Sequence, residues 1–173
     1  NMTSPPSTRP RRSALYMPGA NARALEKARS LHADCLLLDL EDAVAPEAKA
    51  EARDLVCAAL REGGYGASET IVRINALDTP WGAQDLAALH NLADGQCPDA
   101  VLAPKVSTPE EIMALQKAIP EACDLWIMIE TPQAIFNLQA LAACAQSTRL
   151  TTFVMGTNDL AKDMRAHLVP GRA

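Results

Sequence analysis

The stretch Leu125-Trp-Ile-Met-Ile-Glu-Thr-Pro132 determines how the rest of the chain is interpreted. Its short apolar run is typical of a strand that is buried on both faces. The run ends at Glu130, and Thr131-Pro132 then has the composition of a helix start, because threonine can cap a helix and proline fits its first position. Glu130 is therefore predicted at the point where a buried strand passes into a helix, which is where α/β proteins bind ligands.

The same strand-then-helix pattern occurs six times along the chain. A helix is predicted after each strand; Asn21 and Pro46 are expected to begin the first two helices, and Gly63-Gly64 to end the second. Thr108 and Glu111 have the spacing of a capping box, and the helix after Pro132 is expected to continue to about Ala145. The predicted strands are Ser13–Met17, Cys35–Leu40, Thr70–Asn75, Ala100–Ala103, Trp126–Ile129 and Thr151–Met155.

Regular alternation of this kind predicts an α/β fold with a parallel sheet and helices outside it. Two architectures satisfy the pattern: an open doubly wound sheet and a TIM (β/α)₈ barrel. The first strand is not followed by GxGxxG and the chain has no Walker motif, which weakens the nucleotide-binding sheet. A complete barrel needs eight strands, so this chain would supply only about six β/α units.

Composition excludes several classes of function. A net charge of −5 and only two each of Trp, Tyr and Phe disfavour nucleic-acid and membrane-surface binding. No apolar run approaches the length of a membrane span. Five scattered cysteines without a CxxC pair or a secretory signal favour a reducing, cytoplasmic location, and three isolated histidines make zinc improbable. We expect residues 1–11 to be a disordered lead-in and residues 12–173 to form the barrel domain.

Polar and turn residues gather at the carboxyl ends of all six predicted strands. Taken singly, each has an ordinary explanation as a loop, a solvated charge or a helix start. Arg73 is the exception, because it interrupts an apolar strand and must pair with a carboxylate or a ligand rather than lie buried alone. The set is Pro18-Gly19, Glu41-Asp42, Arg73 with Asn75, Lys105, Glu130, and Gly156 with Asp159.

This set suggests a metal-assisted reaction of a carboxylate. Glu130 and Asp159 are hard oxygen ligands without a His or Cys companion, which suits Mg²⁺. Arg73 is suited to binding an anionic oxygen at two points, and Glu41 and Asp42 to holding water or transferring a proton. A metal here would act as a Lewis acid in making or breaking a C–C bond beside an enolate.

Six motifs, in order, resemble the citrate lyase β-subunit-like proteins of the HpcH/HpaI aldolase/citrate lyase family. The resemblance covers about Arg12 to Lys162 and is specific as a set. The motifs are Arg12-Ser13 with Tyr16-Met-Pro-Gly19, Leu38-Asp-Leu-Glu-Asp-Ala-Val44, Val72-Arg-Ile-Asn75, Pro104-Lys105-Val106, Ile129-Glu-Thr-Pro132 and Gly156-Thr-Asn-Asp-Leu-Ala161.

The resemblance implies a TIM barrel and an Mg²⁺-dependent carbon–carbon lyase. Its substrates would be β-hydroxyacyl thioesters of the citryl, malyl or citramalyl-CoA type, giving acetyl-CoA and a 2-oxo acid. By resemblance Glu130 and Asp159 are the metal ligands, Arg73 contacts substrate, and Glu41 with Asp42 form an acidic pair beside them. The CoA arm would lie near Arg12, Pro18, Gly19 and Lys105.

The family also implies a homo-oligomer, a trimer or a multiple of one, and about a hundred further residues that complete the barrel. Two alternatives stay open from the sequence. One is a metal-dependent pyruvate aldolase that works without CoA. The other is a non-catalytic partial barrel that binds a 2-oxo acid or a partner protein.

Overall fold

The computed structural model describes residues 13–156, which hold six β-strands and six α-helices joined by short 3₁₀ turns and loops. The strands are β1 (Ala14–Pro18), β2 (Cys35–Asp39), β3 (Glu69–Arg73), β4 (Ala100–Ala103), β5 (Asp124–Ile129) and β6 (Leu150–Met155). The helices are α1 (Ala22–Lys27), α2 (Lys49–Glu62), α3 (Gly82–His90), α4 (Pro109–Ala118), α5 (Pro132–Phe136) and α6 (Leu138–Ala143).

All five strand pairings are parallel, and the strands lie side by side in chain order from β1 to β6. A doubly wound sheet reverses its strand order part-way, whereas a barrel continues in one direction. The predicted α/β fold is therefore confirmed, and the order favours a barrel. Within residues 13–156, none of the helices combines the length and apolar character that a bilayer span requires.

Two apolar clusters lie on opposite faces of the sheet. The larger one joins the strands to the surrounding helices. The smaller one is built from strand residues alone, with Tyr16 packed against it, so this face of the sheet is lined by strand side chains as the inside of a barrel is. The inner cluster consists of Cys35, Leu37, Ile71, Ala100, Leu102, Trp126, Met128 and Val154.

Local sequence signals place most helix ends as expected. The side chains of Asn21 and Thr131 accept hydrogen bonds from the third residue after each, and Gly63 ends α2 with a φ of 68°. Thr108 accepts from the backbone N–H of Glu111. The Glu111 carboxylate accepts from the Thr108 hydroxyl and from the N–H of Ser107, rather than from the N–H of Thr108 as a capping box requires.

Several predicted bounds are wrong. β5 begins at Asp124, two residues before the predicted Trp126, and α2 begins at Lys49, after a 3₁₀ turn over Pro46–Ala48. β3 ends at Arg73, two residues early, because the N–H of Asn75 turns to donate to the Asp85 carboxylate at 2.9 Å. The helix expected to run from Pro132 to about Ala145 is divided at Asn137, whose side-chain amide donates to the Ser107 carbonyl. The amide anchors this point to the loop after β4, and α6 starts as a new helix.

Candidate active site

The centre of the site is an ion pair between neighbouring strands. Arg73 ends β3 and lies in register with Asp39, which ends β2. The guanidinium donates from Nε to Oδ1 at 2.7 Å and from Nη2 to Oδ2 at 2.6 Å. Asp39 is fully buried and Arg73 is 8% exposed. Burial alone lowers the pKa of Arg73, but the hydrogen bonds and charge of Asp39 outweigh it, so the arginine is held as a cation.

Asp39 has no free oxygen for a metal or a substrate. Besides the two bonds from Arg73, Oδ1 accepts from the backbone N–H of Glu41 and Oδ2 from that of Ala43, both at 2.9 Å. The carboxylate therefore fixes Arg73 and the start of the loop after β2 together. The sequence prediction overlooked this residue; the signal was a single aspartate inside an otherwise apolar strand, opposite a single arginine in the next.

Glu41 lies beside the pair, with Oε1 3.8 Å from Arg73 Nε and 16% of its side chain exposed. Burial raises the pKa of this carboxyl; Asp39 and Asp42 add to the effect, while Arg73 and Lys105 oppose it. Asp42 itself is exposed. Of the two predicted acidic residues, Glu41 thus lies beside Arg73 with a raised pKa, and the exposed Asp42 contributes its charge to that rise.

Hydrogen bonds to its backbone carbonyl groups hold the loop that carries Glu41. Lys49 donates to the carbonyl oxygens of Leu40 at 3.2 Å and Glu41 at 2.7 Å, and the Asn75 side chain also donates to the Leu40 carbonyl. Asn75 donates to the buried Asp85 carboxylate as well, so this predicted polar residue secures the loop rather than facing the site. The position of Glu41 is therefore set by the fold and not by a ligand.

Glu130 follows β5 directly and lies against Gly156, which follows β6. The N–H of Gly156 donates to the Ile129 carbonyl at 3.2 Å. A Cβ at position 156 would lie only 2.5 Å from the Cβ of Glu130, so only glycine permits this approach. Among residues 13–156, no hydrogen bond or ion pair occupies the Glu130 carboxylate. Its oxygens are available to a ligand.

Lys105 follows β4 with a φ of 55°, a left-handed conformation that costs free energy for a residue with a side chain. Its charge acts on Glu41, which places it toward the same edge of the sheet. On its other side Lys105 lines a mainly apolar cavity of about 300 Å³ between the loops after β3 and β4 and helix α4. The apolar wall includes Ile74, Leu77, Pro104, Val106 and Leu115.

The remaining predicted residues divide into two groups. Gly19 is buried against β2: its N–H donates to the Asp39 carbonyl at 2.7 Å, and a Cβ there would meet the same oxygen at 2.8 Å. This contact explains the Pro18-Gly19 turn by packing, and a ligand role for it stays a prediction. Arg12 and Asp159 lie outside the described residues.

The donor set fits Mg²⁺ as far as the described residues extend. Mg²⁺ takes one or two carboxylates and fills its other positions with water and substrate oxygens. Glu130 supplies one such carboxylate, at the same edge of the sheet as the Arg73 guanidinium. Within residues 13–156 there is no group of three or more His, Cys, Asp or Glu side chains arranged to hold a metal. The second predicted ligand, Asp159, falls outside that range.

Comparison with models of protein families identifies the family to which this sequence is similar. The model of the HpcH/HpaI aldolase/citrate lyase family matches residues 12–172. The chain belongs to this family. The resemblance carried by its six motifs is thereby confirmed.

A curated relative, (3S)-malyl-CoA thioesterase of Cereibacter sphaeroides (strain ATCC 17025 / ATH 2.4.3), is 45% identical over 163 residues. The match covers 94% of this chain and 54% of the relative. The chain thus spans about half the length of the curated relatives it matches.

Solved structures of family members contain the same arrangement of strands and helices over part of their length. The citrate lyase β subunit of M. tuberculosis, complexed with oxaloacetate and magnesium, is 30% identical with a TM-score of 0.66 over 85% of this chain and 58% of its own. CitE from the same organism, in complex with magnesium, acetoacetate and coenzyme A, is 29% identical with a TM-score of 0.67, covering 88% and 51%. The six strands described above therefore correspond to part of a TIM barrel.

Proposed function

We propose that this chain carries the metal- and carboxylate-binding part of an Mg²⁺-dependent carbon–carbon lyase. The reaction would cleave or form a β-hydroxyacyl thioester of the citryl, malyl or citramalyl-CoA type, with acetyl-CoA and a 2-oxo acid as the other partners. One observation supports this most: the Glu130 carboxylate has no protein partner among the described residues, and it shares the carboxyl edge of the sheet with a fixed guanidinium.

Glu130 and Asp159 are the proposed metal ligands, and Arg73 the proposed contact for the substrate carboxylate. Mg²⁺, when bound, supplies Lewis-acid polarisation of the substrate's carbonyl or hydroxyl oxygen. Asp39 occupies Nε and Nη2 of Arg73 and holds the guanidinium plane still. Nη1 of Arg73 also donates to the Met128 sulfur, a weak acceptor, at 3.3 Å. A substrate oxygen would approach the N–H groups of Nη1 and Nη2 that are left, on a cation whose orientation is already fixed, and such preorganisation stabilises developing negative charge.

Glu41 is the proposed proton-transfer group, with Asp42 as its acidic neighbour. Its raised pKa lets it hold or release a proton closer to neutral pH than an ordinary glutamate does. Its 3.8 Å separation from Arg73 puts it beside the anion that the arginine binds. It would move a proton to or from the substrate hydroxyl, or from water.

The thioester arm is assigned to Lys105 together with the adjoining cavity. The cavity is mainly apolar, and Lys105 stands between it and Glu41. A pantetheine chain is flexible and mostly uncharged, so it suits such a wall, while the ammonium suits a phosphate or the thioester oxygen. Arg12 and the Pro18-Gly19 turn remain proposed contributors to CoA binding.

A second candidate is hydrolysis of the same thioester. It is favoured by the 45% identity to a protein named (3S)-malyl-CoA thioesterase. Both candidates use the same metal, anion and thioester contacts, and they differ in whether the C–C bond or the thioester bond is broken. The products therefore separate them: acetyl-CoA and a 2-oxo acid from the lyase, or free CoA and a hydroxy acid from the hydrolase.

The test is to incubate the full-length protein with malyl-CoA and with citramalyl-CoA, with and without Mg²⁺, and to identify the products by chromatography. We expect turnover only with Mg²⁺ and none in Glu130→Ala. Glu110→Ala, a change at an exposed glutamate of α4, is the matched control and should turn over normally. Unchanged activity in Glu130→Ala would reject the metal site.

Two further measurements address the alternatives. Free CoA should compete with the thioester; aldol cleavage that is insensitive to CoA would favour the pyruvate aldolase. Mg²⁺-dependent binding of oxaloacetate without any turnover would favour the non-catalytic partial barrel. The expected homo-oligomer, a trimer or a multiple of one, is checked by sedimentation of the same preparation.

A further inference from the structure

Tyr16 lies in the middle of β1, in register with Leu37 of β2, and its side chain packs with the inner cluster of the barrel. Its ring centroid is 5.4 Å from the Cζ atom of Arg73, within the range of a cation–π contact. The tyrosine thus lies inside the barrel next to the group proposed to bind the substrate carboxylate. Neither the proposed metal site nor the proposed thioester contacts account for it.

The hydroxyl of Tyr16 is polar but has no partner in the part of the chain that the structure describes. Among residues 13–156, no side chain or backbone group forms a hydrogen bond with it. The residue is half-buried, and a phenol in such a place usually finds a partner for its O–H. The other tyrosine, Tyr65, shows this rule, because its hydroxyl donates to the Leu25 carbonyl at 3.2 Å.

The surroundings of the hydroxyl favour a neutral donor. Burial raises the pKa of Tyr16; Asp39, Glu130 and Glu41 raise it further through their charges, and Arg73 opposes them. The same four groups are those that form the candidate site. At neutral pH the phenol therefore keeps its proton and can donate it to an acceptor that enters between Arg73 and Glu130.

We infer that Tyr16 is a further substrate-binding residue, whose O–H donates a hydrogen bond to a carboxylate oxygen of a 2-oxo acid held by Arg73. This inference rests on the proposed function and names one more contact in it. No bond is made or broken by the tyrosine. The ring fixes one side of the guanidinium, and the hydroxyl adds a directed donor that recognises a carboxylate.

The test is binding of oxaloacetate in the presence of Mg²⁺, measured by titration calorimetry on the full-length protein. Tyr16→Phe keeps the ring against Arg73 and removes only the hydroxyl. We expect its affinity for oxaloacetate to fall about tenfold or more, since a hydrogen bond to a charged group is lost. The affinity for Mg²⁺ alone, titrated without oxaloacetate, should not change, because the hydroxyl contacts the substrate and not the metal.

Tyr65→Phe is the matched control. It removes the chain's other tyrosine hydroxyl, which bonds only to the backbone in the helical layer, and it should leave oxaloacetate affinity unchanged. The thermal midpoint of Tyr16→Phe should equal that of the wild type, because its hydroxyl has no partner among the described residues to lose. An oxaloacetate affinity within twofold of wild type would overturn the inference.

The two proposals fail in different ways. If the wild type shows no Mg²⁺-dependent binding of oxaloacetate, or if Glu130→Ala binds as well as the wild type, the proposed function fails and the Tyr16 contact with it. If Glu130→Ala loses binding while Tyr16→Phe and Tyr65→Phe both keep it, the proposed function stands and only the Tyr16 contact is rejected.

Discussion

Asp39 and Arg73 are paired at two points across β2 and β3, and the carboxylate also accepts two backbone N–H groups of the loop after β2. A buried pair of this kind gains little over an apolar one as a source of stability, but removing one partner is costly. Its use here is geometric. It fixes a cation and the loop that carries Glu41 with the same four hydrogen bonds.

Asp39→Asn tests that role. The change keeps the shape of the side chain but leaves the buried Arg73 charge with only the more distant Glu41 carboxylate, at 3.8 Å, as a counter-ion. We therefore expect the free energy of unfolding to fall by about 3 kcal/mol. Urea unfolding measures it. Asp54→Asn, at an exposed position of α2, is the control and should change stability by less than about 0.5 kcal/mol. Equal effects of the two changes would show that the pair does not anchor the site.

Gly156→Ala tests the contact between the ends of β5 and β6. The new Cβ would lie 2.5 Å from the Cβ of Glu130 and 3.3 Å from its Oε2, so the carboxylate must move. We expect Mg²⁺-dependent binding of oxaloacetate to weaken about tenfold or more, a loss of at least ~1.4 kcal/mol. Calorimetry measures it. Gly95→Ala, where no atom lies within 4 Å of the new Cβ, should bind normally; equal affinity in both variants would mean that Glu130 tolerates displacement.

Much of the fold could be predicted because its signals are local. Apolar runs give the strands, and Asn21, Thr108 and Thr131 give helix starts, since each capping bond spans only a few residues. The placement of Glu41, Arg73 and Glu130 at one edge then follows from parallel strands. The break at Asn137 could not be predicted from local signals. The side chain of Asn137 donates to the Ser107 carbonyl, and this bond, which divides the helix, depends on a loop 30 residues away.

The sequence indicated several residues of the candidate site, but neither Asp39 nor the pairings between the side chains. Arg73 was expected to meet a carboxylate or a ligand, and only the register of β2 with β3 identifies that carboxylate as Asp39. The motif that contains Tyr16 gives this residue no role in the site, because its position beside Arg73 depends on how the barrel interior is filled. Asn75 bonds to the Leu40 carbonyl and the Asp85 carboxylate for the same reason: hydrogen-bond partners distant in the chain are set by packing.

Glu41→Gln tests the environment of the proton-transfer group. Burial raises the pKa of Glu41 above its ordinary value of 4.5, so the folded state holds the proton more tightly than the unfolded chain. The contribution of this carboxyl to the free energy of unfolding is therefore greatest below about pH 4.5. It is lost as the pH rises through the pKa that Glu41 has in the folded state. The Gln variant lacks this loss, so its free energy of unfolding should rise relative to that of the wild type as the pH increases from 4.5 toward neutral. Urea unfolding across that range measures the difference.

The control for Glu41 is Glu47→Gln, which changes an exposed glutamate of the following 3₁₀ turn. Its stability should run parallel to that of the wild type over the same pH range. A Glu41→Gln curve that also runs parallel would mean that the carboxyl titrates as it does in the unfolded chain. In that case its assignment to proton transfer would lose its physical basis.

Lys105 combines a strained backbone with a proposed ligand contact, and two substitutions separate them. Lys105→Gly and Lys105→Ala both remove the ammonium, so both should raise the KM for the CoA thioester and weaken competition by free CoA. Only glycine relieves the φ of 55°, so Lys105→Gly should be more stable than Lys105→Ala by about 1 kcal/mol. Thioester kinetics and urea unfolding of both variants measure the two effects. If the KM stays at the wild-type value in both variants, the assignment of the CoA arm to this cavity is wrong, whichever variant is more stable.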